Sequence, residues 1–157
     1  MLIAVVSDTH HDNSSIREVL SSIENADVLI HLGDNVIDAL FLKERFKGES
    51  YYVKGNCDGW NSAPKELLID IKGIKIFATH GDGYGVKISD TMLLVEAKER
   101  GADIALYGHT HIPTVEEKQG IWVINPGSPS LPRMSKASIA FIDIDNNGRI
   151  TPYIYNI

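Results

Sequence analysis

The stretch LIAVVSDTH, residues 2–10, decides the fold of this chain. Its first five residues, Leu2 to Val6, form a continuous apolar run, which is typical of a parallel strand covered on both faces. Asp8 and His10 follow at once. Because open α/β sheets bind ligands at the carboxyl ends of their strands, such residues predict a site at a sheet edge. Four more polar motifs follow strand-like runs in the same way: Gly33-Asp34, Gly55-Asn56, His80-Gly81 and Gly108-His109-Thr110-His111.

The first third of the chain predicts a βαβαβ unit. The expected strands are Leu2 to Val6, Val28 to Leu32 and Tyr51 to Val53. Ser14 or Ser15 would cap the first helix. The second helix is marked by the apolar residues Val36, Ile37, Leu40, Phe41 and Phe46. Right-handed crossovers make such strands parallel, so Asp8, Asp34 and Asn56 should leave the same edge of the sheet.

After Pro64 the pattern changes to mostly strands. The expected elements are a hairpin of residues 67–71 and 74–78, a helix from Thr91 to Arg100, strands at residues 104–107 and 121–124, and a last hairpin over residues 137–157 that turns at Asn146-Asn147-Gly148. No linker or repeat interrupts the pattern. We therefore predict an α/β fold with two packed sheets, helices outside them, and a single domain over residues 1–157.

Composition narrows the classes of function. The 157 residues are 43% hydrophobic, which suits one globular domain. Nothing approaches the roughly 18 consecutive apolar residues of a membrane span. The net charge of −6 disfavours a nucleic-acid polymer as partner, because such binding depends on Lys and Arg. Cys57 is the only cysteine, so an intramolecular disulfide is impossible and a cytoplasmic location is expected.

The residue types of the motifs indicate a metal site. Carboxylate, amide and imidazole groups without a required thiolate suit Mn, Fe, Ni or Zn, and Mn²⁺ is our expectation for the active form. The strongest single motif is His109-Thr110-His111, because it presents two imidazoles together at one strand end. A centre of divalent cations would attract phosphate despite the acidic surface. The sequence therefore predicts a metal-dependent enzyme that acts on a small phosphate ester.

The ordered set of motifs resembles that of the calcineurin-like metallophosphoesterases, most closely their small single-domain bacterial and archaeal phosphodiesterases. The likeness runs from Asp8 to the segment Asn125-Pro126-Gly127-Ser128. It implies a four-layer αββα sandwich of two mixed β-sheets flanked by helices. It also implies two divalent cations that share Asp34. The other implied ligands are Asp8, His10 and His111 for one ion, and Asn56, His80 and His109 for the other.

The resemblance further implies a mechanism. A hydroxide shared by the two ions would attack phosphorus, so no protein nucleophile is needed. The implied activity is that of a metal-dependent phosphodiesterase that hydrolyses small phosphodiesters. On this basis Asp34, Asn56, His11 and Asp58 are our candidates for catalytic residues.

One position departs from the superfamily pattern. Larger members have Gly-Asn-His-Asp/Glu, in which the histidine can protonate the leaving group, whereas this chain has Gly55-Asn56-Cys57-Asp58. We therefore expect diesters and activated aryl esters to be better substrates than alkyl monoesters. His11 could replace the missing imidazole or could be a solvated loop residue. Cys57 could be a soft metal ligand, although a small buried thiol is expected, and Asp58 could act only by orienting its loop.

Several neighbouring residues have open roles. His31 is interpreted as a structural histidine with satisfied hydrogen bonds. Asn125 and Ser128 follow a strand end and could hydrogen-bond to the ligand histidines. Trp60 and Tyr84 could form an apolar rim that stacks an aromatic leaving group or a nucleobase, or could serve in packing or a subunit contact.

Two other functions stay open at this stage. The retromer scaffold subunit has a similar fold and binds proteins without hydrolysing phosphate, and fold alone does not exclude that role. A nucleotide-specific phosphodiesterase would share the core chemistry and differ in its substrate pocket. Arg133 could reach a substrate phosphate, although a surface ion pair is expected. The tail Tyr153-Ile154-Tyr155 could cover an edge or form a homo-oligomer contact.

Overall fold

The computed structural model describes residues 1–157, which form ten strands and three α-helices. The strands are β1 (Leu2–Val6), β2 (Val28–His31), β3 (Glu49–Tyr52), β4 (Glu66–Ile71), β5 (Ile74–Thr79), β6 (Ile104–Leu106), β7 (Thr114–Lys118), β8 (Ile121–Asn125), β9 (Ser138–Ile144) and β10 (Ile150–Asn156). The helices are α1 (Asn13–Ser22), α2 (Val36–Arg45) and α3 (Thr91–Glu99). A short 3₁₀ helix spans Asp82–Tyr84.

The strands form two mixed sheets of five strands each. The first has the order β10-β9-β1-β2-β3, and the second has the order β4-β5-β6-β8-β7. Strands β1, β2 and β3 are parallel to one another, which confirms the βαβαβ unit. In the second sheet β5, β6 and β8 are parallel. Each sheet therefore has an edge at which several strands end together.

Three apolar cores separate the layers. The largest lies between the sheets and includes Ile3 and Val5 of β1. The alternate residues of the same strand, Ala4 and Val6, belong to a core with α1 and α2. A third core joins α3 to the second sheet through Phe77. The predicted four-layer αββα sandwich is confirmed, and β1 is covered on both faces, as its unbroken apolar run indicated.

Helix α1 has a different cap from the one expected. Asp12, and neither Ser14 nor Ser15, is the N-cap residue. Its Oδ1 accepts a 2.7 Å hydrogen bond from the backbone amide of Ser15 and a 2.6 Å bond from the Ser14 hydroxyl. These bonds, that from Ser14 foremost, lower the pKa of Asp12 to about 2. A carboxylate replaces the expected serine because it accepts both bonds and its charge suits the positive end of a helix.

The apolar spacing predicted helix α2 but not its buried face. Ile37, Leu40 and Phe41 are exposed, whereas Val36 and Leu42 are buried. The helix also buries a carboxylate, Asp38, together with its apolar residues. Which face of α2 is buried therefore depends on its contacts with neighbouring loops as well as on the hydrophobicity of its residues.

Strand β7 has no counterpart among the expected elements. It is the edge strand of the second sheet, pairs antiparallel with β8, and exposes Glu116 and Glu117. Charged residues on an edge strand hinder unwanted pairing, and they also remove the apolar signal of a strand. The other expected strands and both hairpins are confirmed. None of the helices has the length and apolar character that crossing a membrane requires.

Candidate metal centre

The polar motifs meet where the carboxyl ends of the two sheets come together. Backbone hydrogen bonds join their loops: the amide of Asp8 donates to the carbonyl of Gly33, and the amide of Gly108 donates to that of His80, each at 3.0 Å. A third bond crosses from one sheet to the other, because the amide of His109 donates to Oδ2 of Asp8 at 3.0 Å. The two sheets therefore build a single cluster of side chains.

Asp8, His10 and His111 form one side of this cluster. Nε2 of His111 lies 3.1 Å from Oδ1 of Asp8 and 3.3 Å from Nε2 of His10. Nε2 of His10 is 3.9 Å from the same carboxylate oxygen. Asp8 and His111 are both buried. These three side chains could hold a metal ion between them.

Asn56, His80 and His109 form the other side. Nε2 of His80 lies 3.1 Å from Oδ1 of Asn56 and 3.2 Å from Nδ1 of His109. Oδ2 of Asp34 is 3.5 Å from the same nitrogen of His80. Asp8, Asp34 and His80 also have ligand atoms within 4.8 Å of one another. The two sides are therefore contiguous, and all seven residues singled out as metal ligands come together.

The ring orientation of two histidines fits a cation. Nδ1 of His80 lies 2.8 Å from the carbonyl oxygen of Leu32, and Nδ1 of His111 lies 2.7 Å from that of Leu131. A carbonyl oxygen can only accept a hydrogen bond, so each Nδ1 donates, and in the neutral form of each ring the lone pair of Nε2 faces the cluster. Carbonyl partners of this kind orient metal-binding histidines.

The carboxylate of Asp8 also fits a cation. Its Oδ1 is buried and has no hydrogen-bond partner, although Nε2 of His111 is close. Burial opposes ionisation of Asp8, but the proximity of His111 and the charge of His80 outweigh it and lower the pKa of Asp8. A buried anionic oxygen without a partner is costly unless a positive charge compensates it. The donor set therefore suits divalent cations.

Strained backbone is concentrated at this cluster. A positive φ is unfavourable for residues with a side chain and costs of order 1–3 kcal/mol where the surroundings enforce it. Six of the nine non-glycine residues with positive φ lie in the motifs or beside them: Asp8, His10, His11, Asp34, His109 and His111. The fold thus holds these loops in conformations that they would not adopt alone, as is common at functional sites.

Two motif glycines make room for the carboxylates. A Cβ atom on Gly55 would lie 2.1 Å from Oδ1 of Asp34, and one on Gly108 would lie 2.7 Å from Oδ2 of Asp8. Both distances are too short for any side chain. The glycines that precede Asn56 and His109 are therefore needed for the close approach of each loop to a carboxylate from another strand.

Asp58 contacts backbone amides. Its Oδ1 accepts a 2.7 Å hydrogen bond from Val36, and its Oδ2 accepts bonds of 2.8 Å from Gly55 and 3.0 Å from Asp34. The side chain thus joins the loop after β3 to the loop between β2 and α2. This arrangement supports the orienting role of Asp58 among the alternatives that the sequence left open.

His31 and His11 are connected through Asp38, which sequence reasoning missed. Nδ1 of the buried His31 accepts from the amide of Gly33, and its Nε2 lies 3.2 Å from the Thr9 hydroxyl. Since Thr9 donates to Asp38, Nε2 of His31 carries the proton. His31 is therefore a satisfied structural histidine, as predicted, and burial lowers its pKa to about 4. The exposed ring of His11 has Nδ1 3.2 Å from Asp38.

Two expectations about exposed positions are wrong. Cys57 is exposed, because its loop lies at the open sheet edge beside Asp34. Limited solvent access at its sulfur and the nearby Asp34 raise the pKa of this thiol to about 11. With His10 and Asp34 it forms a third group that could hold a cation, so its alternative role as a soft ligand keeps geometric support. Arg133 forms no salt bridge, since no carboxylate lies within reach.

Asn125 and Ser128 support the loop backbone instead of the ligand rings. The amide group of Asn125 donates to the carbonyl of Gly108 at 2.8 Å and to the hydroxyl of Thr110 at 3.0 Å. The Ser128 hydroxyl donates to the carbonyl of Asp8 at 2.7 Å. The expected bonds to histidine rings are absent. The carbonyls of Leu32 and Leu131 already accept the hydrogen bonds that Nδ1 of His80 and Nδ1 of His111 donate.

Trp60 and Tyr84 have different surroundings. Trp60 is 81% exposed and, with Asn56, lines a cavity of about 290 Å³ beside the cluster. Nζ of Lys54 lies 5.0 Å from the centre of its ring. Tyr84 donates a 2.6 Å hydrogen bond to Glu66 and is partly buried. The geometry supports a rim position for Trp60 and internal packing for Tyr84.

The fold and this cluster suit a metal-dependent hydrolase of phosphoric esters. Residues 1–147 match the profile described as the calcineurin-like phosphoesterase superfamily domain, and the chain belongs to that family. Among its relatives, the probable metallophosphoesterase MJ0623 of Methanocaldococcus jannaschii is 34% identical over 149 residues, which are 93% of this chain and 77% of the relative. Phosphodiesterase MJ0936 of the same organism is 32% identical over 146 residues, covering 81% and 83% of the two chains.

Solved structures agree with this assignment. A conserved protein from Streptococcus pneumoniae, described as a predicted phosphoesterase, superposes with a TM-score of 0.80 at 28% identity and covers 98% of this chain and 96% of its own. Vps29 from Entamoeba histolytica superposes with a TM-score of 0.79 at 20% identity, covering 100% and 99% of the two chains. At that identity the likeness to Vps29 shows the fold alone.

Proposed function

We propose that this chain is a phosphodiesterase that hydrolyses small phosphodiesters at a centre of two divalent cations. The observation that carries the proposal is the contiguous cluster of seven donor side chains, in which buried Oδ1 of Asp8 lacks a hydrogen-bond partner and Nε2 of His80 faces the other donors. Relatives that are named phosphodiesterase support the reaction class.

Each side of the cluster would hold one ion. Asp34 would contact both ions, since it belongs to one potential metal group with His10 and to another with His80. Asn56 would contribute its amide oxygen, which faces His80. The proposed ligands are Asp8, His10 and His111 for one ion, and Asn56, His80 and His109 for the other.

The protein's part in the reaction would be to position ions and substrate. When bound, the cations would supply a hydroxide nucleophile and neutralise charge on the phosphate, and we propose Mn²⁺ as the native metal. The neutral thiol of Cys57 is a weaker acid than an imidazolium, so it would give little help to a departing alkoxide. Diesters and aryl esters are therefore the favoured substrates. We further propose that Trp60 stacks an aromatic substituent of the diester, which would suit a nucleotide.

A protein-binding role without hydrolysis is the second candidate. The similarity of the fold to Vps29 supports it. One Vps29 structure is described as a complex with zinc, so metal binding alone does not separate the two functions. Hydrolysis of a phosphodiester does separate them.

The test is hydrolysis of bis(p-nitrophenyl) phosphate by metal-free protein reconstituted with Mn²⁺, Fe²⁺, Ni²⁺ or Zn²⁺, with bound metal measured by mass spectrometry. We expect two ions per chain and the highest rate with Mn²⁺. Asp34→Asn should lower the metal content and reduce kcat/KM by more than roughly 100-fold. Asp70→Asn, in β4 beside the hairpin turn at the opposite end of the second sheet, is the matched control.

Each contrary outcome has a separate meaning. Wild-type protein that binds two ions and hydrolyses no ester would favour the scaffold role. Protein that binds only one ion, yet turns over the diester, would contradict the two-ion centre and leave the reaction class intact.

Three further proposals concern the whole chain. We propose that residues 1–157 form one domain, because β10, which lies beyond the matched residues 1–147, pairs with β9 along its length. A cytoplasmic location stays a prediction that rests on the single thiol of Cys57. A homo-oligomer contact at Tyr153 and Tyr155 also stays a prediction, and both side chains are exposed.

A further inference from the structure

A second cavity adjoins the candidate metal centre. It has a volume of about 360 Å³ and opens beside Thr110, which lies between the proposed ligands His109 and His111. It shares no lining residue with the cavity at Trp60. Its other lining residues are Val86, Lys87, Tyr107, Ile112, Thr114 and Arg133. The centre is thus flanked by one cavity on the side of Asn56 and by another on the side of Thr110.

The second cavity contains positive charge only. Lys87 and Arg133 line it, and no aspartate or glutamate does. Neither cation forms a salt bridge, whereas Arg100 and Lys118, in the same half of the chain, each contact two carboxylates. In a chain of net charge −6, two uncompensated cations in one cavity create a local attraction for an anion.

Both cations are close to the proposed ligands. The backbone amide of Arg133 donates a 3.0 Å hydrogen bond to the carbonyl of His111, so its segment is fixed beside the centre. Lys87 lines the same cavity as Arg133 and as Thr110, the residue between the proposed ligands His109 and His111. A group bound between the two cations would therefore lie next to a substrate held at the centre.

We propose that this cavity binds a second phosphate group of the substrate, carried by one of the two substituents of the diester. The proposal rests on the proposed function and specifies its substrate class. The scissile phosphate would lie at the centre, with an aromatic group towards Trp60 and the phosphorylated group towards Lys87 and Arg133. The planar guanidinium of Arg133 and the compact ammonium of Lys87 are both suited to phosphate oxygens.

The test compares two chromogenic diesters that release the same p-nitrophenolate. They are the p-nitrophenyl esters of thymidine 5′-phosphate with and without a 3′-phosphate, and KM is measured for both with metal-loaded protein. In the wild type the 3′-phosphate should lower KM by roughly tenfold. The double variant Lys87→Gln/Arg133→Gln should bring the ratio of the two KM values to about one. Lys87→Arg keeps the charge and should keep the ratio.

A matched control separates this site from the overall charge of the protein. Lys136→Gln removes an exposed cation from the segment of Arg133 but outside the cavity, and the ratio should persist. Equal KM values in the wild type would overturn the proposal. A ratio that persists in the double variant, or that is lost in Lys136→Gln, would do so too, because the 3′-phosphate would then bind elsewhere or respond only to net charge.

The same experiment distinguishes failure of this proposal from failure of the proposed function. If a thymidine ester binds but is not hydrolysed, its affinity is measured as an inhibition constant, with bis(p-nitrophenyl) phosphate as the substrate. If none of the three esters is hydrolysed, the proposed function is contradicted. Calorimetric titration with the two thymidine esters then measures the ratio of their dissociation constants. Tighter binding of the 3′-phosphorylated ester supports the role of the cavity, and equal binding contradicts it, independently of turnover.

Discussion

Oδ1 of Asp34 accepts a 2.8 Å hydrogen bond from the backbone amide of Cys57. The bond joins the loop after β2 to the loop after β3 and leaves Oδ2 of Asp34 facing His80. It also holds Cys57 beside the candidate metal centre, at the position where larger members of the superfamily have a histidine. The chain thus combines the seven proposed donor side chains with a thiol at the position where the family resemblance implies a proton donor for the leaving group.

Replacing this thiol with imidazole should broaden the range of substrates. Cys57→His should raise kcat/KM for an alkyl monoester such as glycerol phosphate by about 100-fold, because general-acid catalysis of that size assists a poor leaving group. Hydrolysis of bis(p-nitrophenyl) phosphate should change by less than about threefold, since nitrophenolate leaves without a proton. Steady-state kinetics with both esters measure this. Cys57→Ala is the control, and an equal gain in that variant would show that removal of sulfur, not addition of a proton donor, is responsible.

Asp58 should act on metal affinity and not on the chemical step. Asp58→Asn replaces one of the two accepting oxygens with an NH2 donor, so either the bond from Val36 or the two bonds from Asp34 and Gly55 are lost. We expect metal affinity to fall by about 10- to 100-fold, as is typical when groups behind metal ligands are lost. At saturating metal kcat should recover. A low kcat at full metal occupancy would instead support a direct catalytic role for Asp58.

Gly108 should tolerate no side chain. In Gly108→Ala the Cβ atom would lie 2.0 Å from Oγ of Ser7 and 2.7 Å from Oδ2 of Asp8, so the strand end must move. We expect a loss of about 1–3 kcal/mol in the free energy of unfolding, together with weaker metal binding. Urea denaturation and metal titration measure the two effects. Gly83→Ala is the control, because nothing lies within 4 Å of its added Cβ, and similar losses in both variants would exclude the steric explanation.

His31 should make stability depend on pH below neutrality. Burial lowers its pKa from 6.5 to about 4, and protonation of Nδ1 would break the bond from the amide of Gly33. The unfolded chain binds this proton more readily, so the stabilisation is fully present above pH 6.5 and is lost as the pH falls to about 4. The shift corresponds to about 3 kcal/mol.

Urea denaturation of metal-free protein across this pH range measures the effect. His31→Gln cannot take up a proton, so the difference in stability between wild type and variant should shrink as the pH is lowered. Parallel pH profiles for the two proteins would exclude His31 as the responsible group.

The positions of the proposed ligands could be predicted because they depend on backbone direction. Unbroken apolar runs mark buried parallel strands, and parallel strands place Asp8, Asp34 and Asn56 at one edge. Strand β7 could not be predicted in this way, because its polar residues become a strand only through hydrogen bonds to β8. Hydrogen-bond pairing between two segments produces no hydrophobic periodicity in the sequence of either segment.

The supporting contacts were harder to predict for the same reason. Asp38, Asp58 and Asn125 bond to groups of distant segments, most of them on the backbone. A backbone amide or carbonyl is present at nearly every residue, so the sequence does not indicate which one a side chain will meet. The exposure of Cys57 likewise depends on how loops cover the sheet edge, which residue type alone does not determine.

The proposed ligands are divided between the two sheets: Asp8, His10, Asp34 and Asn56 follow strands of the first, and His80, His109 and His111 follow strands of the second. Cation affinity and the mutual docking of the sheets are therefore thermodynamically linked. Substitutions deep in the core between the sheets, such as a smaller residue at Ile124, would weaken metal retention without touching a ligand. Conversely, the concentration of metal available in the cell would affect the stability of the contact between the two sheets at this end.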